Sequence, residues 1–179
     1  EKALAYIEAN QERRLASQLT IAEIPAPTFH EGERAKHMAS EFRRVGLTRV
    51  EIDKQGNVLG WRDGELKDAL VLAAHLDIAF EPGVNTKVRK EGARWHGPGL
   101  ADDSSGLAAL LKIAEAMEQA KVKTHRTILF VANVGEEGLG DLNGVRYLFK
   151  ESPYRNSLRE FISVDGEDPA RITTGGTGV

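Results

Sequence analysis

The chain has 179 residues, of which 41% are hydrophobic and 28% are charged, values close to the averages of soluble globular domains that suggest neither disorder nor a fibrous or membrane class. The length predicts one soluble domain, and we expect it to be cytoplasmic. The formal net charge is only -3 and basic residues are scattered among acidic ones, so we expect neither nucleic acid nor a membrane as a partner. Because cysteine is absent, disulfides, thiolate nucleophiles and cysteine-ligated zinc are excluded, and any bound metal must be held by His, Asp and Glu side chains.

The first half of the chain predicts two helices followed by three strands. Apolar residues recur near helical spacing in the first twenty or so residues, until Pro25 and Pro27 end the pattern. A second amphipathic helix is predicted from Glu31 to about Val45, with Gly46 as its C-terminal cap. Two short strands, RVEI and NVLGW, come next, and ALVLAAHLD is predicted to be a buried strand because its apolar residues are continuous.

The second half alternates helices with strands. After a loop rich in glycine and proline, a helix is predicted from about Ser104 to Ala120, and RTILFVANVG is then another buried strand. A shorter helix near Gly144 to Phe149, the strand FISVD and the strand-like RITT complete the chain. This alternation is typical of α/β folds, and no linker divides the sequence.

Acidic and histidine side chains stand at the carboxyl ends of three predicted strands. His75 and Asp77 belong to AAHLD, Glu136 and Glu137 to VGEEG, and Asp165 to SVDG. In open α/β sheets, ligands bind at that edge. Because side chains alternate along a strand, His75 and Asp77 point to the same side, and the Asp77 carboxylate can hold the imidazole in one orientation.

A fourth acidic group, Asp102 and Asp103 in GPGLADDSSG, follows a glycine-rich turn and precedes a helix whose N-terminus favours negative charge. Taken singly, each group has a simpler explanation: a helix cap for these aspartates, solvated surface for the glutamate pair, a turn for Asp165 and a satisfied polar residue for His75. Four such groups at successive loops of one sheet edge are hard to explain separately. Their residue types match the preferences of zinc, so the pattern favours a metal site.

The motifs HLD, GPGLADD, GEEG and VDG stand in the order and approximate spacing found in the co-catalytic zinc peptidases. The segments IPAPTFHEGE and GEEGLGDLNGVRYLF are also similar to that family, so the chain resembles it over essentially its whole length. The family includes peptidase T, carboxypeptidase G and the aminoacylases. The resemblance implies an α/β, zinc-exopeptidase-like fold, a mixed sheet flanked by helices.

The same resemblance implies four metal ligands. His75 and Asp165 would bind one zinc ion, Glu137 would bind the other, and the Asp102 carboxylate would bridge both. Manganese or cobalt can occupy similar nitrogen and oxygen sites, so two ions of either metal remain alternatives to zinc.

Two further residues receive roles from the resemblance. Glu136 would be the general base that takes a proton from the attacking water and passes it to the departing amine, and Asp77 would orient His75. The family often has a cis peptide bond after its bridging aspartate, here between Asp102 and Asp103. The expected reaction is hydrolysis of a small peptide or an N-acyl amino acid at its amide bond, as in tripeptidases, dipeptidases and carboxypeptidases.

The sequence departs from the family pattern at one ligand. The pattern needs a further histidine downstream on the zinc ion that Glu137 binds, and the remaining histidines, His30, His37, His96 and His125, match no ligand position. We therefore expect residues 1–179 to be the N-terminal portion of a zinc peptidase catalytic domain, truncated, with its lid domain absent and with little or no activity alone. The parent protein is expected to be a homodimer, as is frequent in the family.

Two alternatives stay open. The related single-domain aminopeptidases use the same set of ligand types without a lid, although LGDLNGVRYLF and FISVDG favour the lid-containing family. A non-catalytic binding protein could also keep this fold. The presence of both Glu136 and Glu137 argues against a binding protein, since binding alone has no need of a general base.

Overall fold

A computed structural model describes residues 1–165. Within them the helices are α1 (Lys2–Ala9), α2 (Gln11–Ala22), α3 (Gly32–Arg44), α4 (Ser104–Gln119) and α5 (Asn143–Lys150). The strands are β1 (Thr48–Ile52), β2 (Val58–Arg62), β3 (Leu66–His75), β4 (Arg89–Glu91), β5 (Arg94–His96), β6 (Arg126–Asn133) and β7 (Leu158–Ser163). A short 3-10 helix, Gly138–Gly140, lies between β6 and α5. None of the helices in this part of the chain is long and apolar enough to cross a membrane.

The central sheet is mixed, and its five strands are ordered β1-β2-β6-β3-β7. Strand β3 runs parallel to both β6 and β7, whereas β2 is antiparallel to β6 and to β1. Strands β3 and β6 lie in the middle, where both faces of a sheet are covered, which explains their nearly continuous apolar sequences. The mixed sheet confirms the predicted α/β class.

Helices cover both faces of the sheet because side chains alternate along the central strands. Ile128, Phe130 and Ala132 of β6 face one core with the apolar sides of α2, α3 and α4. Leu129 and Val131 face the other core, which α5 closes. The polar ends of the strands are thereby held between two packed layers.

The structure differs from the sequence-based prediction in two places. The first predicted helix is two helices, because Asn10 adopts φ -121° and ψ 31° and interrupts the helical backbone between α1 and α2. The segment predicted to be a loop before α4 contains the antiparallel hairpin of β4 and β5. Its strands have only three residues each, too few for a periodic signal. The strand-like RITT lies outside the described residues.

The register of the parallel strands brings their carboxyl ends together. His75, the last residue of β3, pairs with Asn133, the last residue of β6. After β7, the Val164 amide donates a hydrogen bond to the Ala73 carbonyl at 2.7 Å, so the chain enters Asp165 beside the end of β3. The loops that follow β3, β6 and β7 therefore start from the same edge of the sheet, at the carboxyl ends of these strands.

Candidate metal centre

The sheet edge brings the predicted site residues into two groups that share one imidazole. In each group, one ligand atom from every member lies within 4.8 Å of the others. The first group is His75, Asp102 and Asp165, and the second is His75, Glu136 and Glu137. Among residues 1–165 none of the other histidines belongs to such a group. His125, for example, pairs at 2.9 Å with Glu65 on the surface.

Asp102 and Asp103 have different partners although they are adjacent. Asp102 Oδ1 lies 2.7 Å from His75 Nε2, and Asp165 Oδ1 lies 3.8 Å from the same nitrogen. Asp103 is fully buried and caps α4: its Oδ1 accepts a hydrogen bond from the Gly106 amide at 2.9 Å. The predicted cis peptide bond between Asp102 and Asp103 is present.

Asp103 also connects the helix to the sheet. Its second oxygen, Oδ2, accepts a hydrogen bond from the His75 amide at 3.0 Å. A side chain at Gly106 would meet the Val164 carbonyl oxygen at 2.0 Å and Asp103 Oδ1 at 2.2 Å, so only glycine allows this close approach. The start of α4 is therefore locked against the end of β3, and this sets the position of Asp102.

Asp77 organises the loop that follows β6. Its buried carboxylate accepts hydrogen bonds from the Glu136 amide at 3.0 Å, the Glu137 amide at 2.9 Å and the Thr28 hydroxyl at 3.0 Å. His75 Nδ1 lies 2.9 Å from the Asp77 main-chain oxygen and 3.5 Å from its carboxylate. The carboxylate thus mainly fixes the two glutamates, and the main-chain oxygen is the closer partner of the imidazole.

The site concentrates negative charge around a buried imidazole. Burial lowers the pKa of His75, but hydrogen bonds with Asp102 and Asp77 outweigh it and raise that pKa to about 11. The hydrogen bond with His75 lowers the pKa of Asp102. Burial, followed by the neighbouring carboxylates, raises the pKa of Glu136 and of Glu137. The clustered carboxylates repel one another, and a divalent cation in place of the imidazolium proton would reduce this repulsion. The donor set therefore suits a metal.

Two buried charged residues support the site and were missed in the sequence. Glu31 Oε1 accepts hydrogen bonds from the Phe29 and Gly135 amides, both at 3.0 Å, and joins the loop before α3 to the loop that carries the glutamate pair. Arg34 is fully buried and donates to the Leu76 carbonyl at 2.8 Å. Arg34 lies on the buried side of α3, four residues before Met38, and Glu31 directly precedes the helix, four residues before Ala35. This helical spacing from buried apolar residues was the available signal.

Comparison with known families agrees with this arrangement. The sequence profile of peptidase family M28 matches residues 57–173, which is more than half of the chain. The chain belongs to peptidase family M28. Membership of this metallopeptidase family confirms the resemblance recognised in the HLD, GPGLADD and GEEG motifs, and it confirms the expectation of a metal cofactor in general terms.

The chain is similar to several individual proteins that are described as hydrolases or peptidases. It is 33% identical over 160 residues to the putative LysW-lysine/LysW-ornithine hydrolase of Pyrococcus abyssi, covering 89% of this chain and 43% of that protein. It is 29% identical over 107 residues to carboxypeptidase G2 of a Pseudomonas species, covering 56% of this chain and 26% of that protein. Its fold matches aminopeptidase PepT of Bacillus cereus with a TM-score of 0.71 at 22% identity, covering 89% of this chain and 44% of PepT.

The chain thus spans less than half of the length of each of these three relatives. The likeness to PepT confirms the predicted zinc-exopeptidase-like fold, a mixed sheet flanked by helices.

Proposed function

We propose that residues 1–179 form the N-terminal portion of the catalytic domain of an exopeptidase that hydrolyses peptide or N-acyl-amino-acid amide bonds with two bound zinc ions. The observation that carries this proposal is the pair of acidic groups that share His75 at the carboxyl edge of the sheet. The three relatives are described as a hydrolase, a carboxypeptidase and an aminopeptidase. Hydrolysis is the chemistry that these three descriptions share, two of them name peptidases, and the lengths of the relatives support a longer parent protein.

Each candidate ligand has a defined place in the proposal. His75 and Asp165 would hold one zinc ion, Glu137 would hold the second, and Asp102 would contribute its carboxylate to both. The convergence of His75, Asp102 and Asp165 within 4.8 Å supports the first site, and imidazole and carboxylate donors match the preferences of zinc. Manganese and cobalt are the alternative metals that the same donors accept.

Glu136 acts as the general base in this proposal. When bound, zinc would supply a Lewis acid for the scissile carbonyl and would lower the pKa of the attacking water. Glu136 is half-buried, its main chain is held by Asp77, and burial raises the pKa of its carboxyl group, which makes its carboxylate a stronger base than that of an exposed glutamate. It takes the proton from the attacking water and delivers it to the departing amine. Asp77 and Glu31 hold the loop that positions this carboxylate.

The test is metal-dependent hydrolysis by the full-length protein. Dipeptides, tripeptides and N-acyl amino acids are incubated with the purified enzyme before and after chelation, and zinc, manganese or cobalt is then added back. We expect chelation to abolish release of the amine and one of the three metals to restore it. Turnover that is unaffected by chelation would contradict the proposal, and a protein that binds peptide without cleaving it would favour the non-catalytic alternative.

A further inference from the structure

A groove with a volume of about 540 Å³ opens beside Glu137. Three loops line it: residues 27–30 before α3, residues 78–82 after β3 and residues 137–139 after β6. Its size falls within the range of about 300–1,000 Å³ that is usual for small-molecule sites. Because Glu137 belongs both to the candidate metal centre and to the groove wall, the groove continues directly from the place where an amide bond would be cleaved.

The groove is bordered by large apolar side chains that are exposed to solvent. Phe29 is 58% exposed, Phe80 is 47% exposed and Leu139 is 92% exposed. Leu139 follows Glu137 by two residues on the short 3-10 helix, so an apolar surface begins immediately beside a candidate metal ligand. Grouped exposed apolar side chains mark binding surfaces more often than isolated ones do.

The charged groups of the groove have one sign. Among the described residues that line the groove, Glu81 and Glu137 carry carboxylates, neither lysine nor arginine is present, and His30 has the only ionisable nitrogen. Because Glu137 is assigned to the metal, Glu81 is the carboxylate that stays free. A substrate carboxylate in the groove would therefore face the like charge of Glu81 without a guanidinium or ammonium partner among these residues, whereas an apolar side chain would gain buried surface.

We propose that this groove is the subsite for an apolar side chain of the substrate residue next to the scissile amide bond, and that it discriminates against acidic side chains. The inference rests on the proposed hydrolytic function and adds the substrate class. The apolar border supplies the binding surface, Glu81 supplies the discrimination, and Glu137 places the groove next to the reacting bond.

The first experiment measures substrate selectivity with the full-length enzyme. Two dipeptide series, X-Ala and Ala-X, are compared with leucine, phenylalanine, glycine or glutamate at X. In one of the two series we expect kcat/KM for leucine to exceed that for glycine by about tenfold or more, which is the usual discrimination for added buried methylene groups. Leu139→Ser should remove most of this preference, and Leu4→Ser, at a leucine on α1 that is 65% exposed, should leave it unchanged.

The second experiment reverses one charge. Glu81→Lys should raise kcat/KM for the glutamate substrate relative to leucine by about fivefold or more, because a repulsive carboxylate becomes an attractive ammonium. Glu65→Lys is the matched control, since Glu65 is 71% exposed at its side chain and lies before β3 at the opposite edge of the sheet. Ligand-observed NMR measures the binding of leucinamide and of glutamate to the metal-free full-length protein. This measurement of binding does not depend on turnover.

The outcomes separate this inference from the proposed function. Metal-dependent hydrolysis whose selectivity is the same in the wild type, Leu139→Ser and Glu81→Lys proteins would overturn the groove assignment and leave the function standing. Hydrolysis that is absent or metal-independent in every variant would overturn the function itself. Altered selectivity in the two groove variants, with both controls unchanged, would support the subsite.

Discussion

The adjacent residues Asp102 and Asp103 have different structural roles at this site. Asp103 is buried and uses both oxygens on main-chain amides, one from α4 and one from β3. Asp102 is left half-buried, with its carboxylate against His75. Because Asp103 is fully buried and both its oxygens are engaged in holding α4 to β3, the neighbouring Asp102, whose carboxylate lies against His75, is the candidate ligand.

The role of Glu136 can be tested by removing its charge while keeping its shape. Glu136→Gln should lower kcat of the full-length enzyme by about 10² to 10⁴-fold, the range expected for loss of a general base. Metal content should remain at the wild-type value because the proposed ligands are other residues. Elemental analysis together with steady-state kinetics checks both expectations, and loss of metal would instead identify Glu136 as a ligand.

Glu31 offers a test of a residue that acts through the main chain of the loop that carries Glu136 and Glu137. Glu31→Ala would leave the Phe29 and Gly135 amides without their acceptor, so the free energy of unfolding should fall by about 1–3 kcal/mol per buried donor left unsatisfied. Glu31→Gln retains an amide oxygen and should recover most of the loss. Urea unfolding of the three proteins measures this difference, and equal losses in both variants would show that the charge, not the acceptor, matters.

At the scale of elements, the packing of α4 against the ends of β3 and β7 decides where the site residues meet. Hydrogen bonds of Asp103 tie α4 to His75, and Gly106 lets the helix approach the segment that leads to Asp165. These contacts come from parts of the chain far apart in sequence. The site is thus a property of how three elements dock rather than of any one loop.

The close approach at Gly106 predicts a large effect of one methyl group. Gly106→Ala should destabilise the protein by about 1–3 kcal/mol or more, because the new Cβ would meet two oxygens at 2.0 and 2.2 Å. Gly32→Ala is the matched control: it lies in α3 and has nothing within 4 Å of the new atom. This control should be neutral or stabilising by up to about 1 kcal/mol. Thermal and urea unfolding check both substitutions, and similar stability of the two variants would contradict the packing argument.

At the scale of the whole molecule, metal binding should contribute to stability. A metal that binds the native state but not the unfolded chain stabilises it by about 2.7 kcal/mol at a concentration 100 times its Kd. We expect zinc to raise the melting temperature of the full-length protein in a concentration-dependent manner. Asp102→Ala should abolish most of this rise, and Asp63→Ala, at an exposed residue beyond β2, should retain it. A rise that persists in Asp102→Ala would exclude Asp102 as a ligand.

Much of the fold and most of the site could be predicted from local sequence patterns. Continuous apolar runs identified the strands β3 and β6, helical periodicity identified α3 and α4, and the motifs HLD, ADD, GEEG and VDG named the site residues that the sheet edge brings together. Local patterns suffice because periodicity identifies the strands and helices. The polar residues that directly follow the strands then lie at the carboxyl edge of the sheet. The homodimer, the cytoplasmic location and the identity of the metals stay predictions.

Tertiary structure alone decided which contacts those residues make. The assignment of Asp103 to two amides, of the Asp77 carboxylate to the glutamate loop and of Glu31 to Gly135 depends on segments that are up to 104 residues apart in the chain. The apolar groove likewise needs three separate loops to meet beside Glu137. Sequence periodicity reports which side of an element is buried, whereas a hydrogen bond between distant segments exists only once those elements have docked.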